Sequence, residues 1–369
     1  DLARHGVWRR ITAVAAPAPV VVHQCEVLGV HRGAPPDHPI VMTRYLMPPG
    51  PSNLTNDLSD DHPIGFRYDR ALYRRARELG LLMMPYVNPT WWCDQSLALK
   101  EHPDAVLAIG LDGKPYREWY GPNGGWSICA LHPLVRELDD RCLRDFVDDL
   151  GCDILFQDQI GARGFLYDLN PAEPTPYAYT EGMIALARTD CQKVPLSTER
   201  GWDGILNYEA QFCGVAWAAV PTTHGSFWSG NFWENFAAGQ WRISPLPLYM
   251  AHDKVAFTLH DLGHFVYGEP ELAMVLALGH QLSYPLAVGS TETSPGFRWF
   301  RWLDVLQKQV AARYMLAPLE DFGHLTQSAV RAQYGDITVA GSIEERPVEF
   351  GDVVLASPGW YARSAAAVT

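Results

Sequence analysis

The alternation of short, strongly apolar runs with longer amphipathic segments most limits the folds open to this chain. Val20–Glu26, Ile40–Met47, Leu81–Val87, Asp153–Asp158, Val194–Glu199, Leu246–Asp253 and Leu282–Val288 read as strands. Tyr68–Leu79, Pro133–Leu150, Tyr177–Arg188, Glu271–Gln281 and Phe297–Tyr314 read as helices. Strands separated by helices pack as parallel βα units, because two parallel strands need a crossover of a dozen or more residues. Six or more units in 369 residues predict an α/β protein with a (β/α)8 barrel, a fold that typically takes about 250 residues. An open doubly wound sheet is the competing arrangement. It is disfavoured because no strand leads into GxGxxG and no GxxxxGK(S/T) loop occurs.

Both ends depart from this grammar. Val27–Pro39 reads as loop rather than helix, and Asp1–Val14 as a first helix whose strand lies upstream, so the barrel is expected to be incomplete at its front. After about Gln327 short β-type runs are broken by Gly-Asp and Arg-Pro, the pattern of antiparallel strands. The expected organisation is a barrel over residues 1–326 and a small β appendage over 327–369.

A formal charge of −13 argues against nucleic-acid partners, which draw their affinity from clustered Lys and Arg. No apolar run approaches the roughly 20 residues that span a bilayer. The first residue is Asp1 rather than Met, so a removed signal peptide stays open and the compartment with it. The seven cysteines form no CxxC pair, which favours buried free thiols over a disulfide framework or zinc ribbon. Thirteen Trp, several in loop contexts, suit a cleft for sugars or cations, although each alone is more readily explained by core packing.

In a βα barrel the reactive face lies at the C-terminal ends of the strands. Three runs end on polar groups: Asp158 in DILFQDQIGAR, Glu199 in VPLSTERGWD, and His252 with Asp253 in PLYMAHDK. Neighbouring strands lie about 4.8 Å apart, so acids at two consecutive tips can converge as glycoside hydrolysis requires, one attacking or stabilising the anomeric carbon and the other protonating the leaving oxygen. Each acid alone is as well explained by a helix cap or an ion pair with Arg163 or Arg200. Arg163 either holds Asp158 ionised or is a local structural partner, and Gln159 either donates to a sugar hydroxyl or does the same. Asn88, Trp91 and Trp92 follow a strand and fall on the same rim, the Trp pair as a sugar subsite; Trp202 follows Glu199 in a loop context.

The segment LHPLVRELDDRCLRDFVDDLGCDILFQDQIGAR resembles the helix-then-strand region of (β/α)8 retaining α-glycosidases, the group of α-amylase-like, α-galactosidase-like and endo-α-N-acetylgalactosaminidase-like barrels. VPLSTERGWD is similar to their next strand. The resemblance is clear over Leu131–Asp203 and looser over Leu81–Trp92 and Pro245–Asp253. It implies a glycoside hydrolase acting on an α-linked sugar without a required cofactor. Asp158 would be the nucleophile and Glu199 the acid/base, with His252 or Asp253 touching substrate hydroxyls.

HDKVAFTLHDLGH offers a different chemistry. His260 and His264 are four apart and, with Asp261, His252 and Asp253, would make a divalent-metal site and a metal-dependent hydrolase. Gly263 weakens the helix this needs, and no HxH ends an early strand, so no metal is assigned. A catalytically silent carbohydrate-binding barrel is the third possibility. There is no GxSxG elbow, and no cysteine has a nucleophile's context.

Overall fold

Gly151, in the left-handed region at φ 68°, turns the chain out of one helix and straight into a strand. That turn belongs to a computed structural model of the full chain. It describes residues 25–30, 39–42, 74, 78, 82–94, 99, 102, 107–120, 123–213, 243–258, 266, 268–282, 284–286, 296–364 and 367–368. Of the expected helix Tyr68–Leu79 these include Arg74 and Glu78, both helical, while the expected helix at Asp1–Val14, and His260, Asp261 and His264, lie outside them. The chain divides into two compact units, one built on Val41–Ala210 and the other on Gln211–Thr369.

In the first unit, Tyr86–Val87, Leu155–Gln157 and Leu196–Glu199 are adjacent parallel strands. Each is short, and Val87 and all of Leu155–Gln157 and Leu196–Glu199 are buried, as in strands covered on both faces. The helix before the central strand starts at Pro133, whose missing N–H costs nothing at a first turn, with His132 Nδ1 accepting from Leu134 N–H. It runs through Leu143 and widens into a π-type turn over Arg144–Asp149. Val135, Leu138, Cys142, Leu143 and Phe146 form its buried face, close to the four-residue apolar spacing of the sequence. Helix Ala178–Asp190 then links the central strand to Leu196–Glu199. Thus the predicted strand–helix–strand unit is present. Cys129, Cys142, Cys152 and Cys191 of this unit are buried.

Between Asn88 and Pro133 the chain makes an excursion that the alternation does not announce. Trp91–Cys93, Asn123–Ser127 and Arg117–Tyr120 form a three-stranded antiparallel sheet with Asn123–Ser127 in the middle.

The second unit contains the parallel pair formed by Ala256–Thr258 and the end of Glu209–Cys213, and a C-terminal antiparallel sheet. Its strands, in spatial order, are Leu319–His324, Ala329–Tyr334, Ile337–Ser342, Gly359–Ser364 and Ala367–Val368. Both Gly-Asp signals are hairpin turns: Gly335 and Gly351 adopt positive φ of 54° and 62° between paired strands. Gly341 lies directly under helix Glu269–Ala277, where any side chain would strike Ala273 O and Ala277 Cβ. The sheet is therefore seated on a helix of its own unit.

Two sequence readings are corrected. Leu246–Ala251 is a helix, not a strand: Pro245 and Pro247 fit a helix start, and Leu248, Ala251 and His252 bury one face at helical spacing. A short apolar run cannot by itself distinguish the two. Second, the strand Cys25–Val30 overlaps the expected one only at Cys25 and Glu26 and runs on through Val27–Val30, where loop was read. Among the described residues the parallel strands do not close into a barrel.

Candidate active site

Three polar residues stand where the parallel strands of the first unit end. The register pairs Val87 with Gln157 and Gln157 with Thr198. Continued by one residue, it sets Asn88 beside Asp158 and Asp158 beside Glu199. On the Val87 side the ladder itself continues that far, since Asp158 N–H donates to Val87 O at 2.8 Å. Residues level in adjacent parallel strands face the same side, about 4.8 Å apart. The side-chain alternation agrees, because Gln157, one residue earlier, turns the other way and donates to Asp190 Oδ2 of the covering helix at 2.5 Å.

The turns behind both acids are unusual and touch each other. Gln159 and Arg200, the residues immediately after Asp158 and Glu199, have φ of 66° and 57°. Left-handed backbone is uncommon for non-glycine residues and concentrates at functional sites. Gly161 N–H donates to Thr198 Oγ1 at 2.8 Å, and that hydroxyl donates to Gln157 O at 2.8 Å. The two strand ends are thus cross-linked within one unit.

Asp158 and Glu199 are largely covered, at 3% and 6% exposure. Asn88 Nδ2 donates to Asp158 Oδ2 at 3.3 Å and to Gln159 Oε1 at 3.2 Å, while its Oδ1 accepts from Thr90 N, Thr90 Oγ1 and Trp91 N. Arg163 forms an ion pair with Glu118, donates to Gln159 Oε1 at 2.7 Å and lies 3.4 Å from Thr90 Oγ1. Arg163 is thus linked to Asp158 through Gln159 and Asn88. Behind it, burial pushes the Tyr179 hydroxyl up to about 12, so that it stays protonated beside Ser127 and Thr90. Burial lowers the pKa of the Arg200 guanidinium, against the opposing pull of Glu199.

The remaining predicted residues separate into two groups. Trp91 and Trp92 are core, not rim: Trp92 is 0% exposed, and the Trp91 ring covers Gly125. They are successive residues of one strand, so their rings take opposite faces and both are packed over. Trp202 is half-buried and donates to Ile160 O at 3.2 Å, which places it against the turn after Asp158. His252 and Asp253 follow a helix in the other unit rather than a strand tip. The His252 ring is wedged with Nδ1 2.6 Å from Ala317 O and Nε2 2.8 Å from Gly279 O, and Asp253 is exposed beside Lys254. Among the described residues no group of three or more His, Cys, Asp or Glu is arranged to hold a metal ion. No described helix is long and apolar enough to cross a membrane.

Sequence reasoning missed Glu118, Thr90, Ser127 and Tyr179. One signal was present. In REWY, Arg117 and Trp119 share a face, with the guanidinium 4.8 Å from the indole, which leaves Glu118 on the opposite face of the strand.

By its likeness to solved structures the chain has the fold of (β/α)8 α-glycosidases. It is similar to the ligand-free α-N-acetylgalactosaminidase NagBb from Bifidobacterium bifidum, with a TM-score of 0.57 at 13% identity over 76% of this chain and 44% of that one. It is also similar to a GH31 family sulfoquinovosidase from E. rectale in complex with an aza-sugar inhibitor, with a TM-score of 0.54 at 12% identity over 98% of this chain and 63% of that one. The chain spans less than half the length of the first and under two thirds of the second. No protein-family model and no curated protein matches the sequence.

Proposed function

We propose that this protein is a retaining glycoside hydrolase that cleaves an α-linked glycoside, with Asp158 as nucleophile and Glu199 as acid/base at the C-terminal face of a (β/α)8 barrel. The observation that carries the reading is the register: one step beyond Gln157 and Thr198, the two carboxyl groups stand on adjacent strands. Strand spacing of about 4.8 Å is near the 5–5.5 Å separation of retaining pairs and short of the 6.5–9.5 Å that makes room for water in inverting ones. One neighbour's name, an α-N-acetylgalactosaminidase, agrees with an α-glycoside substrate, and the other's, a sulfoquinovosidase, with a glycoside.

In the first step Glu199 gives its proton to the departing glycosidic oxygen as the bond from that oxygen to the anomeric carbon breaks. An Asp158 oxygen bonds to the same carbon. In the second, Glu199 takes a proton from water, the water oxygen attacks the anomeric carbon, and the bond to Asp158 breaks. The sugar leaves with its original configuration, and both side chains return to their starting protonation. No cofactor enters this balance.

Trp202 is the indole we assign to the substrate, because it packs on the turn after Asp158 and is not fully covered. The division into a catalytic barrel over residues 1–326 and a β appendage over 327–369 belongs to the same reading. The test is a panel of nitrophenyl α- and β-glycosides, with and without chelator, against wild type, Asp158→Asn and Glu199→Gln. Turnover of an α-glycoside that survives chelation and falls at least about a hundredfold in each variant supports it. Unchanged kinetics in either variant removes that residue's assignment.

A further inference from the structure

A nucleophilic carboxylate works only if it is held ionised and aimed at the reacting carbon. Resting on the glycosidase reading above, we infer that Asn88 is the positioning residue for Asp158, held in place by the Glu118–Arg163 ion pair acting through Gln159.

The orientation of the Asn88 amide is fixed by what surrounds it. Thr90 N–H and Trp91 N–H point at one terminal atom from 3.0 and 3.2 Å, and a backbone N–H can only donate. That atom is therefore the oxygen, and the NH2 group faces Asp158 and Gln159. One of its hydrogens goes to Asp158 Oδ2 at 3.3 Å and the other to Gln159 Oε1 at 3.2 Å. Gln159 is fixed in the same way. Arg163 Nη2, 2.7 Å away, is a donor that loses no proton near neutral pH, so the atom it faces is the Gln159 oxygen. Arg163 Nη2 and Asn88 Nδ2 both donate to this one oxygen, with Thr90 Oγ1 3.2 Å from it, and neither amide can flip without setting donor against donor.

The far end of the relay is the antiparallel excursion. Glu118 sits opposite Gly125 of the middle strand and accepts from Ser127 Oγ at 2.9 Å while pairing with Arg163. Arg163 N–H and Ala162 N–H both bond back to Gln159 O, at 2.9 and 3.0 Å, which closes the left-handed turn after Asp158. The inserted sheet therefore acts as a brace. It anchors Arg163, Arg163 fixes Gln159 and Asn88, and Asn88 donates to the carboxylate.

Asn88→Asp separates this role from simple folding. An aspartate keeps the oxygen that accepts from Thr90 N–H and Trp91 N–H, so the turn survives, but it replaces the donor facing Asp158 with a second carboxylate. A hydrogen bond to a charged group is worth enough to change a rate by about ten- to a hundredfold. In full-length protein, Asn88→Asp and Asn88→Ala should lower kcat by at least that range with KM little changed, and the second carboxylate beside buried Asp158 should also lower the thermal midpoint of Asn88→Asp at neutral pH. The acidic limb of the pH profile should move to higher pH, because the ionised form has lost its donor. Glu118→Gln should move it in the same direction by less. A loss confined to KM or stability, or an unshifted limb, overturns the role.

A second readout does not depend on turnover: the titration of the Asp158 carboxyl in protein carrying γ-13C aspartate, with its signal identified by Asp158→Asn. If wild type hydrolyses no glycoside, the glycosidase reading fails alone, and a higher Asp158 midpoint in Asn88→Asp still supports the contact. The same midpoint in both proteins overturns it whatever the activity.

Discussion

Gly161→Ala tests whether the turns behind the two acids truly abut. Gly161 lies three residues after Asp158, and a Cβ built there would sit 2.6 Å from Glu199 O, 2.7 Å from Thr198 Cγ2 and 2.9 Å from the Arg200 carbonyl carbon. Two of these atoms are backbone and cannot rotate away. Contacts below 3.4 Å are already tight, so the turns must separate by about 0.8 Å to admit the methyl group. Forcing an extra carbon into a packed site costs about 1–3 kcal/mol. It also strains the bond from Gly161 N–H to Thr198 Oγ1 that ties the strand ends together. A shift near 1 Å between catalytic groups can cost about a hundredfold in rate. The assay is a pair of measurements, the urea unfolding free energy and kcat/KM on the best nitrophenyl α-glycoside of the panel. Gly164→Ala is the control, because a Cβ there meets nothing within 4 Å. Gly161→Ala should lose stability and activity, with Gly164→Ala close to wild type. Equal behaviour of the two variants would mean that the turns are apart, and the row of acids with them.

Other consequences are independent of this one. Asp139 and Asp190 face each other from the two covering helices, and burial raises both, Asp190 to about 6 from an ordinary 3.8, while Arg136, Gln157 and Lys193 pull Asp190 back down. A folded-state pKa above the unfolded value gives stability that is complete below about 3.8 and lost as pH rises through about 6. Unfolding free energy should therefore fall across that window, and Asp139→Asn should flatten the slope; an unchanged slope refutes the coupling of the two buried acids. Buried Glu209, also raised by burial and by Asp190, adds to the trend in the same direction. Trp92→Ala should cost about 3–5 kcal/mol in a denaturant melt, as expected for a fully buried ring. A near-normal melt with a large rise in KM would return Trp92 to a sugar-binding role.

The two acids were legible because the chain announces them: an apolar run that stops at a carboxylate, twice, on strands joined by one helix. Gly151 and the Gly-Asp hairpins were legible for a similar reason, since only a few residues tolerate the backbone those turns need. PLPLYM was misread because Leu246–Ala251 is a short apolar helix, and six residues are too few for the two periodicities to diverge. The brace was the least visible part. Gly-Pro-Asn-Gly-Gly between two aromatic-rich runs is a hairpin signal, yet nothing local says that Glu118 will meet Arg163, 45 residues away. Asn88, read as a rim residue, reaches Asp158 across 70 positions of sequence, and such pairings are set by sheet register.

The anomeric configuration of the first product, followed by proton NMR on an α-glycoside that the wild-type protein turns over, tests the central claim most directly. Carboxyl groups on adjacent strands, close enough for direct attack, predict that the α-anomer appears first and the β-anomer only later by mutarotation. First release of the β-anomer would mean that a water stands between acid and sugar, and would contradict Asp158 as the nucleophile.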